Sequence, residues 1–163
     1  GSLSGFEMRL VFRTERYISK QNRVAGVGLN AGDRAKAGRL NLPDANEITA
    51  AIMAHCNTLS SGDKGGWLSL WADDAVLEDP VGVDTYSGKE TLASTFWGLV
   101  EELQPMRLWL DRDVIVCGNE AIGILFGTVT SNGQLTRVGP IVDHFVFNDD
   151  GKIASMRAFW KYA

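Results

Sequence analysis

Asp79 and Asp143 are the residues of this 163-residue sequence best suited to chemistry, because each carboxyl group interrupts a run that otherwise reads as a buried β-strand. Asp79 follows Leu77 at the end of one run, and Asp143 lies between Ile141 and Phe145 in another. Side chains alternate along a strand, so Asp79 shares a face with Leu77, and Asp143 shares one with its two apolar neighbours. The pattern therefore directs both carboxyl groups toward the core.

The two aspartates are expected to differ in charge. Burial raises the pKa of a carboxyl group, so Asp143 is expected to stay neutral and to donate a hydrogen bond. Asp79, at a strand end beside a loop, is expected to be more exposed and ionised. Each aspartate alone has a plainer interpretation, as a turn former or as a polar group bonded to backbone. Together they favour a site in which acid and base work are divided.

His55 and a set of apolar residues are the other candidates for the site. His55 lies on the apolar stripe of a predicted helix and reaches the same cavity if that helix covers the sheet; alone, it is typical of a core histidine. Most aromatic residues belong to the core, but some are expected to line a substrate pocket: Trp71, Phe96, Phe126, Phe145, Met156 and Trp160. No zinc spacing, phosphate loop or Ser-His-Asp order is present, so no metal or cofactor is expected.

Three helices are predicted before the strands. Asp44 and Glu47 form a capping-box pattern that opens a helix ending at Gly62. Trp67, Leu70 and Trp71 have the spacing of a short second helix, and 75–79 reads as a strand. Ser87 and Glu90 repeat the capping pattern before a third helix, which Pro105 ends.

Four β-rich runs follow, at 107–116, 121–130, 135–147 and 152–160. The pairs between them are typical of hairpin turns: Gly118-Asn119, Asn132-Gly133 and Asp150-Gly151. This order predicts an α+β fold in which three N-terminal helices pack on a curved antiparallel or mixed sheet. Such a cone encloses an apolar pocket between helices and sheet.

Charged residues are unevenly distributed between an N-terminal basic head, 1–45, and an acidic body, 46–163. Residues 1–45 carry eight Lys or Arg and four acidic residues, whereas residues 46–163 carry eight Lys or Arg and sixteen acidic residues. An acidic body argues against nucleic acid as a partner, and no apolar run is long enough to span a membrane. We expect 1–45 to be an extension, partly disordered or left from cloning, and 46–163 to be one domain. Two distant cysteines favour a reduced, cytoplasmic protein.

Four motifs stand out between about residue 50 and residue 160: Trp71-Ala72-Asp73-Asp74-Ala75, Glu78-Asp79-Pro80-Val81-Gly82, Asp143-His144-Phe145 and Ser155-Met156-Arg157-Ala158. Together they resemble the ketosteroid isomerase (steroid Δ5-isomerase) branch of the NTF2-like, or SnoaL-like, superfamily. This resemblance implies a cone-shaped NTF2-like fold, an apolar steroid-like ketone as substrate, no cofactor and a homodimer.

The resemblance also implies roles for individual residues. Asp79 corresponds to the general base that moves a proton within the steroid, and Asp143 to the protonated acid that holds the dienolate oxygen. The tyrosine that also donates to that oxygen is replaced here by His55, and two supporting tyrosines fall near Phe96 and at Trp71. A neutral imidazole has one N–H, so His55 can take the donor role.

Three functions stay open at this point. The first is an isomerase that uses Asp79, Asp143 and His55. The second is a dehydratase or cyclase on the same cone, with His55 as a base, since a fold does not fix a function. The third is a binder of small apolar ligands without chemistry, for which Asp79 has no purpose.

Overall fold

A computed structural model describes residues 42–161, which form an α+β fold. The helices are α1 (Ala45–Ser61), α2 (Lys64–Ser69), α3 (Lys89–Thr91) and α4 (Trp97–Glu102), with a π-helical segment, Leu92–Phe96, joining the last two. The strands are β1 (Trp71–Glu78), β2 (Thr85–Ser87), β3 (Arg107–Leu110), β4 (Ile115–Cys117), β5 (Glu120–Ser131), β6 (Gln134–Phe147) and β7 (Ile153–Phe159). The predicted fold class is confirmed. The predicted extension lies almost wholly outside the described residues.

The seven strands form one mixed sheet in the order β2-β1-β7-β6-β5-β3, with β4 also paired to β5. Strands β5, β6 and β7 are antiparallel neighbours, whereas β1 runs parallel to β7. The β5–β6 turn has positive φ at both Asn132 (50°) and Gly133 (74°), as a type I′ hairpin requires. The hairpin is therefore formed as the sequence predicts.

Helix α1 is fixed at both ends by the predicted caps. The Asp44 carboxylate accepts from the backbone N–H groups of Asn46 and Glu47, and the Glu47 side chain accepts from the Asp44 N–H at 2.8 Å. Gly62 ends the helix in the left-handed conformation, with φ 68°. Between these caps one stripe is buried: Ile48, Ile52, His55, Cys56 and Leu59. This stripe brings His55 to the interior.

Local predictions were wrong at three places. Trp71 is the first residue of β1, not part of the second helix, because α2 ends at Ser69. The Ser87 capping box is absent: Gly88 precedes α3 and no side chain caps it. Ser87 instead ends β2, a three-residue strand too short to show a pattern. The predicted strand 107–116 is two strands interrupted at 111–114. Within residues 42–161 no helix is long and apolar enough to cross a membrane.

Candidate active site

The two aspartates lie at one level on the helix-covered face of the sheet. Asp143 pairs with Ala158 on one side and with Gly123 on the other. Asp79 follows the last β1–β7 pair, Glu78 with Arg157, so it is level with Ala158. Small residues thus flank Asp143, and a single strand separates the two aspartates, a backbone separation of roughly 10 Å. A ligand lying over Ala158 has a carboxyl group on each side.

Asp143 is a buried acid with no hydrogen-bond partner among the described residues. Its exposed fraction is 3%, and its Oδ1 atom is fully buried. Burial, and then the negative charge of Asp79, raise the pKa of Asp143 well above its ordinary value. This shift favours the protonated form of the side chain, which can donate an O–H. A buried polar group left unpaired is rare in native proteins, and a ligand oxygen would explain it.

Asp79 is partly buried and is the more acidic of the two. Its Oδ1 atom accepts a hydrogen bond from Trp160 Nε1 at 2.8 Å. Desolvation raises the pKa of Asp79, the Trp160 hydrogen bond lowers it, and the charge of Asp84 raises it again. Because Asp143 is more deeply buried and is also next to the charge of Asp79, ionisation is disfavoured more at Asp143 than at Asp79. The arrangement favours one carboxylate and one carboxylic acid.

His55 is buried and neutral. Its exposed fraction is 2%, and desolvation lowers its pKa to about 4. Its Nδ1 atom accepts a hydrogen bond from Trp67 Nε1 at 3.1 Å. Its ring meets Phe145 edge-on, with 5.5 Å between centroids, and Phe145 is two residues from Asp143 on the same face of β6. No hydrogen bond joins His55 to either aspartate within the described residues.

Most of the predicted wall residues lie on the inner side of the fold. Phe145 and Met156 are paired on adjacent strands, and Trp71 and Phe96 are also buried. Phe126 is not brought to the site. It alternates with buried Leu125 on β5, and its ring lies under the exposed guanidinium of Arg137, 5.2 Å from the ring centroid. Phe126 therefore belongs to the outer face, because the β5 positions that point inward have the opposite parity.

Tyr86 is a residue of the site region to which none of the sequence motifs pointed. It lies on β2 opposite Leu77, is 6% exposed, and packs edge-on against Phe96. Burial, and then the charges of Asp84 and Asp79, raise the pKa of its hydroxyl group. The phenol is thus a neutral donor near Asp79. Its only sequence signal was a Thr-Tyr-Ser triplet, which is too short to distinguish a strand from a loop.

Aromatic side chains pack against one another between the helices and the sheet. Trp67, Trp71 and Phe145 are completely buried, and the Trp71 indole N–H has no acceptor among the described residues. Two clefts open elsewhere: one of about 340 Å³ between α1 and β3, and one of about 570 Å³ beside Asp149 and Asp150. Neither contains Asp79 or Asp143. Open space alone indicates no chemistry, so the paired carboxyl groups define the candidate site.

The described residues contain no group of three or more His, Cys, Asp or Glu side chains that could hold a metal ion. The side chains brought together at the site offer two carboxyl groups with different burial, and N–H and O–H donors, in an apolar setting.

Comparisons with known proteins bear on the family and the fold of this chain. Residues 52–156 match the SnoaL-like domain family. The steroid Δ-isomerase of Nocardioides simplex is 32% identical over 114 residues, covering 70% of this chain and 89% of that protein. The epoxide hydrolase LasB of Streptomyces lasalocidi is 29% identical over 115 residues, covering 66% of this chain and 39% of that protein. The structure of SalBIII, an epoxide hydrolase/cyclase-like enzyme of pyran-ring formation, superimposes with a TM-score of 0.65 and 22% identity over 72% of this chain and 93% of its own.

Fold, site and family match together define an α+β protein of the NTF2-like type. The chain belongs to the SnoaL-like family, as the motifs around Asp79 and Asp143 predicted. The similarity to SalBIII supports the fold. The named relatives with higher identity are an isomerase and an epoxide hydrolase, so the family match leaves the reaction to be argued from the site.

Proposed function

We propose that this chain is an enzyme that moves a proton within an apolar, steroid-like ketone, with Asp79 as the base. One observation carries the proposal. Two inner-face carboxyl groups lie at the same level of the sheet, and burial raises the pKa of Asp143 further than that of Asp79. The 32% identity to a steroid Δ-isomerase supports the same reading.

The reaction needs only these side chains. The Asp79 carboxylate takes a proton from the carbon between the ketone and the C=C bond, and the C–H electron pair moves to give a dienolate. The negative charge that develops on the carbonyl oxygen is held by the O–H of Asp143 and the N–H of His55. Asp79 then returns the proton to the far carbon of the original double bond. The product is the conjugated ketone, and the base is regenerated.

The surroundings suit an apolar substrate. We propose that Trp71, Phe96, Phe145 and Met156 contact its rings, and that Trp160 at the entrance orients the base through its hydrogen bond to Oδ1. In apolar surroundings a hydrogen bond to the oxyanion is stronger than in water, so few donors suffice.

The test is an assay with a β,γ-unsaturated 3-ketosteroid in which absorbance of the conjugated enone is followed. We expect turnover by the wild type, and a loss of about 10²–10⁴ in kcat for Asp79→Asn, because general-base catalysis contributes that much. Asp84→Asn is the matched control, since it removes an exposed carboxylate near Asp79 and is expected to keep most activity. Tight steroid binding without turnover would instead indicate a non-catalytic binder.

An epoxide-opening cyclase or hydrolase is the second candidate, and the similarity to LasB favours it. In that reaction Asp143 gives its proton to the epoxide oxygen as the C–O bond breaks, while Asp79 accepts the proton of the attacking hydroxyl group or water. Incubating the enzyme with an apolar hydroxy-epoxide separates the two. Ring formation, together with no isomerisation of the ketosteroid, would select the cyclase.

We also propose that two copies pair through the outer face of the sheet. Apolar side chains on that face that are exposed by more than a third include Val76 (38%), Trp109 (37%) and Phe159 (42%). Exposed apolar side chains on one face are suited to an interface. Light scattering on the purified protein is expected to give twice the chain mass, and Phe159→Lys is expected to shift it toward the monomer.

A further inference from the structure

Trp67 determines which nitrogen of His55 carries the proton. An indole N–H can only donate, so the His55 Nδ1 atom that it meets at 3.1 Å must offer a lone pair. A neutral imidazole has a single ring proton, which must then be on Nε2. We propose that Trp67 is a positioning residue that fixes His55 as an Nε2–H donor for the substrate oxygen, a role that rests on the isomerase function proposed above.

The surroundings of His55 leave its Nε2 atom for a ligand. Three aromatic rings enclose the imidazole: Trp67 and Trp71, each 6.2 Å away between centroids, and Phe145 at 5.5 Å. The bond from Trp67 is the only hydrogen bond of the His55 side chain among the described residues. Ring flipping would turn Nδ1 away from its donor and leave the buried indole N–H unpaired. The enclosed ring therefore has one favourable orientation.

Trp67 is itself held firmly, so it can orient its neighbour. Its backbone N–H donates to the Asp63 carbonyl oxygen at 2.9 Å, and the Asp63 carboxylate caps α2 by accepting from Gly66 N–H. Its indole stacks on Phe96, with 5.2 Å between centroids and 19° between planes, and also packs against Trp97. The indole is completely buried.

This arrangement suits His55 to the role of a hydrogen-bond donor rather than that of a general base. A dehydratase or cyclase base needs an unprotonated imidazole nitrogen toward the substrate. In His55 one nitrogen accepts from Trp67 and the other already carries the proton. Burial, which lowers the His55 pKa to about 4, keeps the ring in this neutral form at physiological pH. His55 is therefore suited to hold an oxyanion and unsuited to remove a proton from carbon.

The decisive experiment is ¹⁵N NMR of protein labelled at histidine, which needs no substrate. The chain has two histidines, so His144→Gln assigns the signals. We expect wild-type His55 to show one neutral tautomer with the proton on Nε2, and Trp67→Phe to show a mixture of tautomers. Trp97→Phe is the matched control, because it trims the same aromatic cluster without touching His55, and it is expected to keep the single tautomer.

Kinetics of the same variants complete the test. Trp67→Phe is expected to lower kcat in the ketosteroid assay about tenfold or more, with little change in KM, since loss of a group that orients a functional histidine has effects of that size. A wild-type proton on Nδ1, or an unchanged tautomer and kcat in Trp67→Phe, would overturn the role of Trp67. If Trp67→Phe does not fold, the wild-type tautomer decides. A fixed Nε2–H tautomer in a protein that turns over no ketosteroid would refute the isomerase and leave the tautomer assignment intact.

Discussion

Acidification should destabilise this protein through His55, by an amount that can be worked out from the structure. The ordinary histidine pKa is 6.5, and burial lowers that of His55 to about 4. The unfolded chain therefore binds a proton that the folded chain refuses, so this stability is complete above pH 6.5 and is lost as the pH falls toward 4. Linkage gives a loss of about 2 kcal/mol between pH 7 and pH 5, and of about 3 kcal/mol by pH 4.

Other groups titrate in the same range, so the measurement has to isolate His55. Asp79 and Asp143 have raised pKa values and oppose the effect, because the folded state binds their protons more tightly than the unfolded state does. The His55→Asn variant cannot titrate at this position, and its amide oxygen can still accept from the Trp67 indole. The difference in unfolding free energy between wild type and this variant is thus expected to change by about 2 kcal/mol from pH 7 to pH 5.

Urea unfolding at intervals of half a pH unit is the assay, with His144→Asn as the control. His144 lies at the surface beside Glu120 and is expected to leave the His55-dependent loss in place. Parallel pH curves for wild type and His55→Asn, within about 0.5 kcal/mol, would refute the reasoning. They would mean that His55 titrates near neutral pH in the folded state, as a catalytic base would.

Three further expectations concern the carboxyl groups and the first helix. Asp143→Asn keeps an N–H donor but cannot ionise, so the fall in kcat/KM on the alkaline side, expected as the wild-type Asp143 ionises, should disappear from the pH–rate profile. Trp160→Phe removes the hydrogen bond that lowers the pKa of Asp79, so the acidic limb of that profile should move to higher pH; an unmoved limb would contradict the bond. Asp44→Ala removes the acceptor of the capping box it forms with Glu47, and urea unfolding should show a loss of about 1 kcal/mol.

The sequence was sufficient for the parts of the fold that follow from local rules. The Asp44 cap, the Gly62 helix end and the Asn132-Gly133 turn depend on residues that are close in the chain, and all three are as predicted. The alternation of side chains along a strand, which predicted that Asp143 points inward, is also a local rule. Asp143 is indeed buried. For such features the sequence contains the whole physical cause.

Features that depend on distant pairing were missed. Strand β2 exists because Tyr86 pairs with Leu77 across a loop, and nothing in three residues indicates that. Trp71 has helical spacing with Trp67, but its pairing with Ile153 places it in the sheet. Phe126 has a strand pattern, and only the sheet register shows that it faces outward. In each case tertiary contacts decided between two local possibilities.

The groups that break the ordinary rules of a protein core are found in one region. Asp143 has a buried oxygen without a partner, Trp71 has a buried N–H without one, and His55 is a titratable ring with almost no exposure. The two unpaired groups, on Asp143 and Trp71, are unfavourable for stability, since burying an unpaired polar group costs about 1–3 kcal/mol. The imidazole lies between Trp71 and Phe145, and Phe145 is on the same face of β6 as Asp143. Unfavourable groups concentrated beside a partly open carboxylate are what a binding and catalytic function would maintain, whereas a purely structural core would replace them with apolar residues.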